Sequence, residues 1–215
     1  MRYILTLFIC SLVISSAYNY NAQSAILSNN RTHENKTDSS DFYFQLAESA
    51  NTLIKQSVVY DPAYFVIEYP NGDVPVNKGV CTDVVIRALR MHHIDLQKRV
   101  HEDIKANFGK YPKMWGLKHP DKNIDHRRVP NLMTYFSRKN ADLPISNNPE
   151  DYKAGSIICW QLSGGQTHIG ILSSRKSADN KRQLVVHNIG SGQVIDDCLF
   201  RFKIIGHYRY PNVKP

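Results

Sequence analysis

An α+β domain, with helices first and an antiparallel sheet after, is what this sequence predicts, and three observations predict it. Apolar residues at helical spacing occupy the segments before Lys139. From Gly155 onward, four short runs rich in Ile, Val and Tyr alternate with turn residues at Gly164-Gly165, Asp179-Asn180 and Gly190-Ser191-Gly192. No internal repeat is visible along the 215 residues, a length that suits one domain with a real core.

Phe44, Ala47, Leu53, Ile54 and Ser57 fall near helical spacing behind Asp41, which can cap a first helix. Tyr64 to Tyr69 is aromatic and β-branched and runs into Pro70-Asn71-Gly72-Asp73, so a strand and a tight turn are expected there. A second helix opens at Cys81, with Val84, Val85, Ala88 and Leu89 on its apolar face and Arg87 and Arg90 off it. Leu96 to Phe108 and Asn131 to Lys139 read as two more helices. Between them, Tyr111 to Pro130 has no apolar period, and a polar, aromatic loop of that length is more often functional or lid-like than idle. The expected strands are Ser156 to Trp160, His168 to Ser173, Leu184 to Asn188 and Lys203 to Tyr210, joined as a meander.

Ahead of this domain, Met1-Arg2 precedes an apolar run ending in Ser15-Ser16-Ala17, the pattern of a secretory signal peptide. The run is short of the ~20 residues a membrane span needs. Residues 1–25 are therefore expected to be the signal and cleavage region, 26–40 a polar disordered linker, and 41–215 the catalytic domain, placed in the periplasm or cell envelope. Cleavage leaves Cys81, Cys159 and Cys198, an odd number for an oxidising compartment. Cys159 reads as a buried small hydrophobe, and a Cys159–Cys198 bridge is compatible with the sequence. The net charge of +8 becomes +7 when Arg2 is removed, which favours anionic partners such as wall polymers. The basic residues are scattered and no nucleic-acid signature is present.

The chemistry concentrates in Gly79-Val80-Cys81-Thr82-Asp83, in Thr167-His168-Ile169-Gly170 and in Val186-His187-Asn188. A helix start favours a thiolate, one imidazole can take the thiol proton, and a second polar group can hold that imidazole. Cys81 is the expected nucleophile, His168 the general base and then acid, and His187 the residue that fixes its tautomer. Asn188 points to the opposite strand face from His187, so only one of them can meet His168. Asp83 serves the helix dipole or touches substrate, while Tyr64 and Trp160 line a cleft or pack the core. Asp125, His126, Arg127 and Arg128 form a loop able to clamp a carboxylate or to make structural ion pairs. Asp121-x-Asn123-x-Asp125 begins like a calcium loop, but His126 replaces its glycine and Leu132 its glutamate. No spacing supports zinc, so neither metal nor cofactor is expected.

Ala154-Gly155-Ser156-Ile157-Ile158-Cys159-Trp160, followed by His168-Ile169-Gly170-Ile171 and Val185-Val186-His187, resembles the catalytic half of NlpC-type, papain-like cell-wall peptidases. Closer still is the resemblance to the exported bacterial family called domain of unknown function 1287. It is carried by Tyr60-Asp61-Pro62, Tyr69-Pro70-Asn71-Gly72-Asp73, Gly79 to Asp83, Asn123 to Leu132, His187-Asn188-Ile189-Gly190 and Gly206-His207-Tyr208-Arg209-Tyr210. It spans Leu46 to Tyr210 and implies a papain-like fold and cysteine peptidase or amidase activity on peptidoglycan. The chain departs from the better-known wall enzymes at Val80, where they carry aspartate, at Thr82-Asp83, where they carry serine and glycine, and in the insertion between Asp95 and Arg138.

The expected function is an exported cysteine hydrolase that cuts an amide in the peptidoglycan stem peptide. The alternatives are an amidase or acyltransferase for another substrate, and a wall-binding module without catalysis. The last predicts a Cys81 of ordinary or raised pKa and wall binding that survives Cys81→Ala.

Overall fold

The computed structural model describes residues 39–190 and 192–212; the expected signal peptide and most of the linker lie outside the described residues. Helices α1 (Ser39–Leu53), α2 (Cys81–Arg90), α3 (Leu96–Asn107) and α4 (Val129–Arg138) come first. A two-stranded parallel ladder, β1 (Val59–Tyr60) with β2 (Lys78–Gly79), lies between α1 and α2. The main sheet follows with β3 (Ile157–Gln161), β4 (Thr167–Lys176), β5 (Gln183–Asn188), β6 (Gln193–Asp196) and β7 (Lys203–Tyr208). Its order is β6-β5-β4-β3-β7 with every pairing antiparallel, giving the α+β class the sequence predicts. The simple meander is corrected, because β7 returns to the free edge of β3.

Alternation along the strands divides the interior in two. Ile157, Cys159, Ile169, Ile171 and Val186 face the helices and join Leu46, Val85 and Leu89 in the larger core. Ile158, Trp160, Leu172 and Val185 face the other way and meet Tyr152, Cys198 and Leu199. Cys159 and Cys198 thus sit on opposite sides of the sheet, and both are free thiols, so the bridge does not form. Helix α2 lies at the centre, packed on α1 and β4, with nine buried residues. Burial of each Val or Leu side chain there stabilises the fold by about 1.5–3 kcal/mol.

Local chemistry sets the connections. Helix α3 starts where Asp95 accepts from the Lys98 N–H at 3.2 Å, and α4 starts with Pro130 in its first turn. Helix α1 begins at Ser39, so Asp41 lies within its first turn and the buried face is Tyr43, Leu46, Ala47, Ala50 and Leu53, with Phe44 exposed. The strand expected over Tyr64 to Tyr69 is absent, because no neighbouring strand pairs with it. Side chains hold that run instead: Asn123 Oδ1 accepts from the Ile67 N–H at 3.1 Å, and Gln97 Nε2 donates to the Glu68 carbonyl at 2.8 Å. Arg87 is also corrected: it is buried and donates to Asp73 and to the Lys78 carbonyl, fastening the turn onto α2.

Candidate active site

Cys81 is the first residue of α2 and only 7% exposed. Val80 offers no side-chain cap, so Asp83 supplies the reciprocal one, its Oδ2 accepting from the Val80 N–H at 2.6 Å. The same carboxylate is buried against Arg127, which donates from Nε and Nη2 at 3.1 Å each. Arg127 also donates to the carbonyls of Ala63 and Asp61, and its own carbonyl accepts from the Thr82 hydroxyl at 3.2 Å. Gly79 is small for a reason: a Cβ there would stand 3.2 Å from the Asp83 side chain. This network clamps the start of α2.

Burial pushes the Cys81 thiol up to about 12, while the backbone N–H groups of Ile169 and Thr82, which favour the thiolate, only partly oppose it. The resting thiolate expected from the helix start is therefore corrected to a thiol. Burial, reinforced by the neighbouring His187, pushes His168 down to about 3, and burial likewise lowers His187. All three groups are neutral at rest.

His168 lies near the start of β4, opposite Trp160 in the β3 register, with their rings 5.9 Å apart. Its Nε2 meets His187 Nδ1 at 2.9 Å. Behind His187, Nε2 lies 3.6 Å from Cys198 Sγ and 4.0 Å from Asp196 Oδ2. In the tautomer with the His187 proton on Nε2, directed toward Asp196 and Cys198, Nδ1 accepts from His168 Nε2–H. His168 Nδ1 makes no hydrogen bond among the described residues and is not sealed from solvent, so its lone pair is free for a proton. Gly170 allows this pairing, since a Cβ there would come within 2.9 Å of Val185 and of the Val186 carbonyl, and within 3.1 Å of His187 Cβ.

A cleft of about 240 Å³ opens over Cys81, bordered by Tyr60, Pro62, Trp115, Arg128 and Thr167. Arg128 stacks 4.1 Å above the Trp115 ring and has no carboxylate partner among the described residues. The other expected substrate contacts give way to structural roles. Arg127 borders the cleft but spends its guanidinium on Asp83 and two carbonyls, so neither member of that pair is free to bind. Asp125 is buried and accepts from the Asp121 N–H at 2.7 Å, and His126 is buried away from the cleft with its pKa lowered to about 3 by burial. Tyr64 is exposed and donates to Asp121 at 3.0 Å. Trp160 is fully buried and donates to the Leu199 carbonyl at 2.8 Å. Asn188 faces the helices, where it donates to the Gly79 carbonyl at 3.3 Å. Tyr60 and Pro62 belong to a motif singled out in the sequence without a role at the cleft. Asp196 has no sequence signal because β6 is too short to show a period, and Cys198 reads in the sequence only as a possible bridge partner of Cys159.

The fold and site define a class: an α+β domain that opens a central helix with a cysteine and pairs two histidines on the adjoining sheet. Residues 47–210 match the family described as Domain of unknown function (DUF1287), and the chain belongs to that family. It is 53% identical over 165 residues to "Uncharacterized protein YijF" of Escherichia coli (strain K12), covering 77% of this chain and 80% of that protein. A crystal structure of an N-acetylmuramoyl-L-alanine amidase from Bacteroides uniformis ATCC 8492 is similar with a TM-score of 0.41 and 14% identity, over 76% of this chain and 95% of that one.

Proposed function

We propose that this protein is an exported cysteine hydrolase that cleaves an amide in the peptidoglycan stem peptide. The observation that carries the reading is the 2.9 Å His168–His187 pair, which leaves His168 Nδ1 free on the strand whose next N–H meets the Cys81 sulfur. Cys81 and His168 make no direct hydrogen bond among the described residues, so when a carbonyl enters the cleft the thiol proton passes through a bridging water to His168 Nδ1 as the sulfur attacks the carbonyl carbon. The N–H groups at the start of α2 stabilise the tetrahedral oxyanion. Collapse breaks the C–N bond, and the leaving amine takes its proton from His168. Water, deprotonated by the same imidazole, then hydrolyses the thioester and restores the thiol. Arg128, without a carboxylate partner over Trp115, supports recognition of a substrate carboxylate, and the net charge of +7 left after removal of Arg2 supports an anionic polymer.

Purified sacculi incubated with the full chain should release fragments whose masses identify the bond, and Cys81→Ala should release none. An intact, thiol-reactive protein without products would redirect the reading to another amide or acyl substrate.

The raised Cys81 pKa favours a second reading, a wall-binding module. On the hydrolase reading, alkylation of Cys81 climbs with pH without a plateau below pH 10, and bound substrate protects it. Wall binding that is unchanged in Cys81→Ala, together with a thiol inert to alkylation up to pH 10, would establish the module.

A further inference from the structure

His187 Nε2, Asp196 Oδ2 and Cys198 Sγ converge on the sheet face opposite α2, with all three atoms within 4.8 Å of one another. The 3.6 Å between His187 Nε2 and Cys198 Sγ fits two ligands of one tetrahedral ion with bonds of about 2.0–2.3 Å, and the 4.0 Å to Asp196 Oδ2 closes with a small turn of that partly exposed carboxylate. An imidazole, a thiolate and a carboxylate are the donor set of a borderline-soft divalent ion. His187 and Cys198 are buried, while Asp196 is partly exposed and gives the site a way in. Arg201 holds the Asp196 carboxylate at 2.6 Å, which orients it and sets a competing positive charge nearby.

We propose that these three residues form a zinc site that switches the catalytic pair off. This rests on the hydrolase reading. A metal on His187 Nε2 displaces the proton from that nitrogen, so the neutral ring carries it on Nδ1. Nδ1–H then donates to His168 Nε2, and the proton formerly on His168 Nε2 moves to Nδ1. Both rings keep one proton each, and the Cys198 thiol proton leaves to solvent as the thiolate coordinates. His168 Nδ1 thereby changes from acceptor to donor and can no longer take the Cys81 proton. Zinc at this site would silence the nucleophile from the other side of the sheet without entering the cleft.

The test separates binding from catalysis. Co²⁺ titrated into the full-chain Cys81→Ala variant should give one equivalent of a thiolate-to-cobalt absorption band, which Zn²⁺ abolishes by displacement. Adding Cys198→Ser should remove the band, and adding Asp196→Asn, at a partly exposed position, should weaken binding about tenfold or more. Absence of the band from Cys81→Ala, or its persistence in the Cys198→Ser double variant, overturns the site. In the otherwise native chain, Zn²⁺ should slow alkylation of Cys81 at fixed pH, and Cys198→Ser should escape that slowing relative to its own zinc-free rate. A metal-bound protein whose Cys81 alkylates unchanged would keep the site and overturn the switch. Neither arm needs the substrate, so failure of the hydrolase reading on sacculi is read separately.

Discussion

The two faces of the main sheet are built from the same strands and differ in almost everything else. Towards the helices lies a broad apolar interior of Leu46, Val85, Leu89, Ile157, Ile169 and Ile171, with Cys81 at its rim. On the reverse lies a smaller cluster in which Trp160, Leu172 and Leu199 pack beside His187 and Cys198, while His168 stands where β4 begins, next to the Ile169 N–H that meets the Cys81 sulfur. The helix face supplies stability and holds the nucleophile still. The reverse face keeps imidazoles neutral and oriented. A buried polar network is costly unless each member is matched, which is why the histidines come as a hydrogen-bonded pair with further groups behind them.

The largest effect expected on breaking this division is catalytic. His168→Ala should lower amide cleavage by about 10²–10⁴-fold, measured on sacculi, and, because it leaves His187 Nδ1 without its buried partner, should also cost about 1–3 kcal/mol in thermal melts. A loss of only a few-fold would remove His168 from the base role. On the helix face the largest effect is on stability. Arg127→Met strands the Asp83 carboxylate in the interior and should cost about 3–5 kcal/mol in urea unfolding, whereas Asp83→Leu with Arg127→Met should recover most of it. Equal losses in the single and double variants would mean that the pair is not what fastens the start of α2.

Gly170→Ala sharpens the comparison, because it presses on β5 at His187. It should cost about 1–3 kcal/mol and lower activity more than an apolar truncation of equal cost on the helix face, such as Val85→Ala. Equal activity in the two variants would show that the His168–His187 spacing is not limiting. The last comparison is made with pH. His168 and His126 have folded pKa values lowered to about 3, below the usual 6.5, so the unfolded chain binds protons first as pH falls. Stability should therefore be full above pH 6.5 and decline from there towards pH 3, by at most about 1.4 kcal/mol per pH unit for each such histidine. A flat urea midpoint between pH 6.5 and 4 would show that these rings protonate freely in the folded protein.

Much of this was legible in the sequence where periodicity reports burial. Val84, Val85, Ala88 and Leu89 mark α2, and Ile169-Gly170-Ile171 marks β4, because one-sided burial writes itself into residue spacing. The parity of His187 and Asn188 correctly sent them to opposite faces. Tyr64 to Tyr69 failed the same test for a physical reason: its β-rich composition has no partner strand, and the backbone is satisfied by Asn123 and Gln97 from distant segments. Arg87 looked like a solvent-facing cation because spacing cannot foresee a turn of backbone carbonyls gathering around it. The Asp125 to Arg128 loop carried charge that reads equally as a clamp or as internal ion pairs. Only tertiary contact separates Arg127, which is spent, from Arg128, which is free. The thiol itself was misjudged through the helix start alone, because desolvation is a property of the packed interior.

The Asn188 contact has a mechanical consequence. His187 and its successor in the chain grip two different parts of the site, one holding the His168 ring and the other the carbonyl two residues ahead of the cysteine. A single β-strand is thus a feeler gauge, its own thickness fixing the gap between the groups on either side. Any insertion of one residue into β5 would exchange the two grips, so the strand's length is as strictly specified as the identities of the residues that do the chemistry.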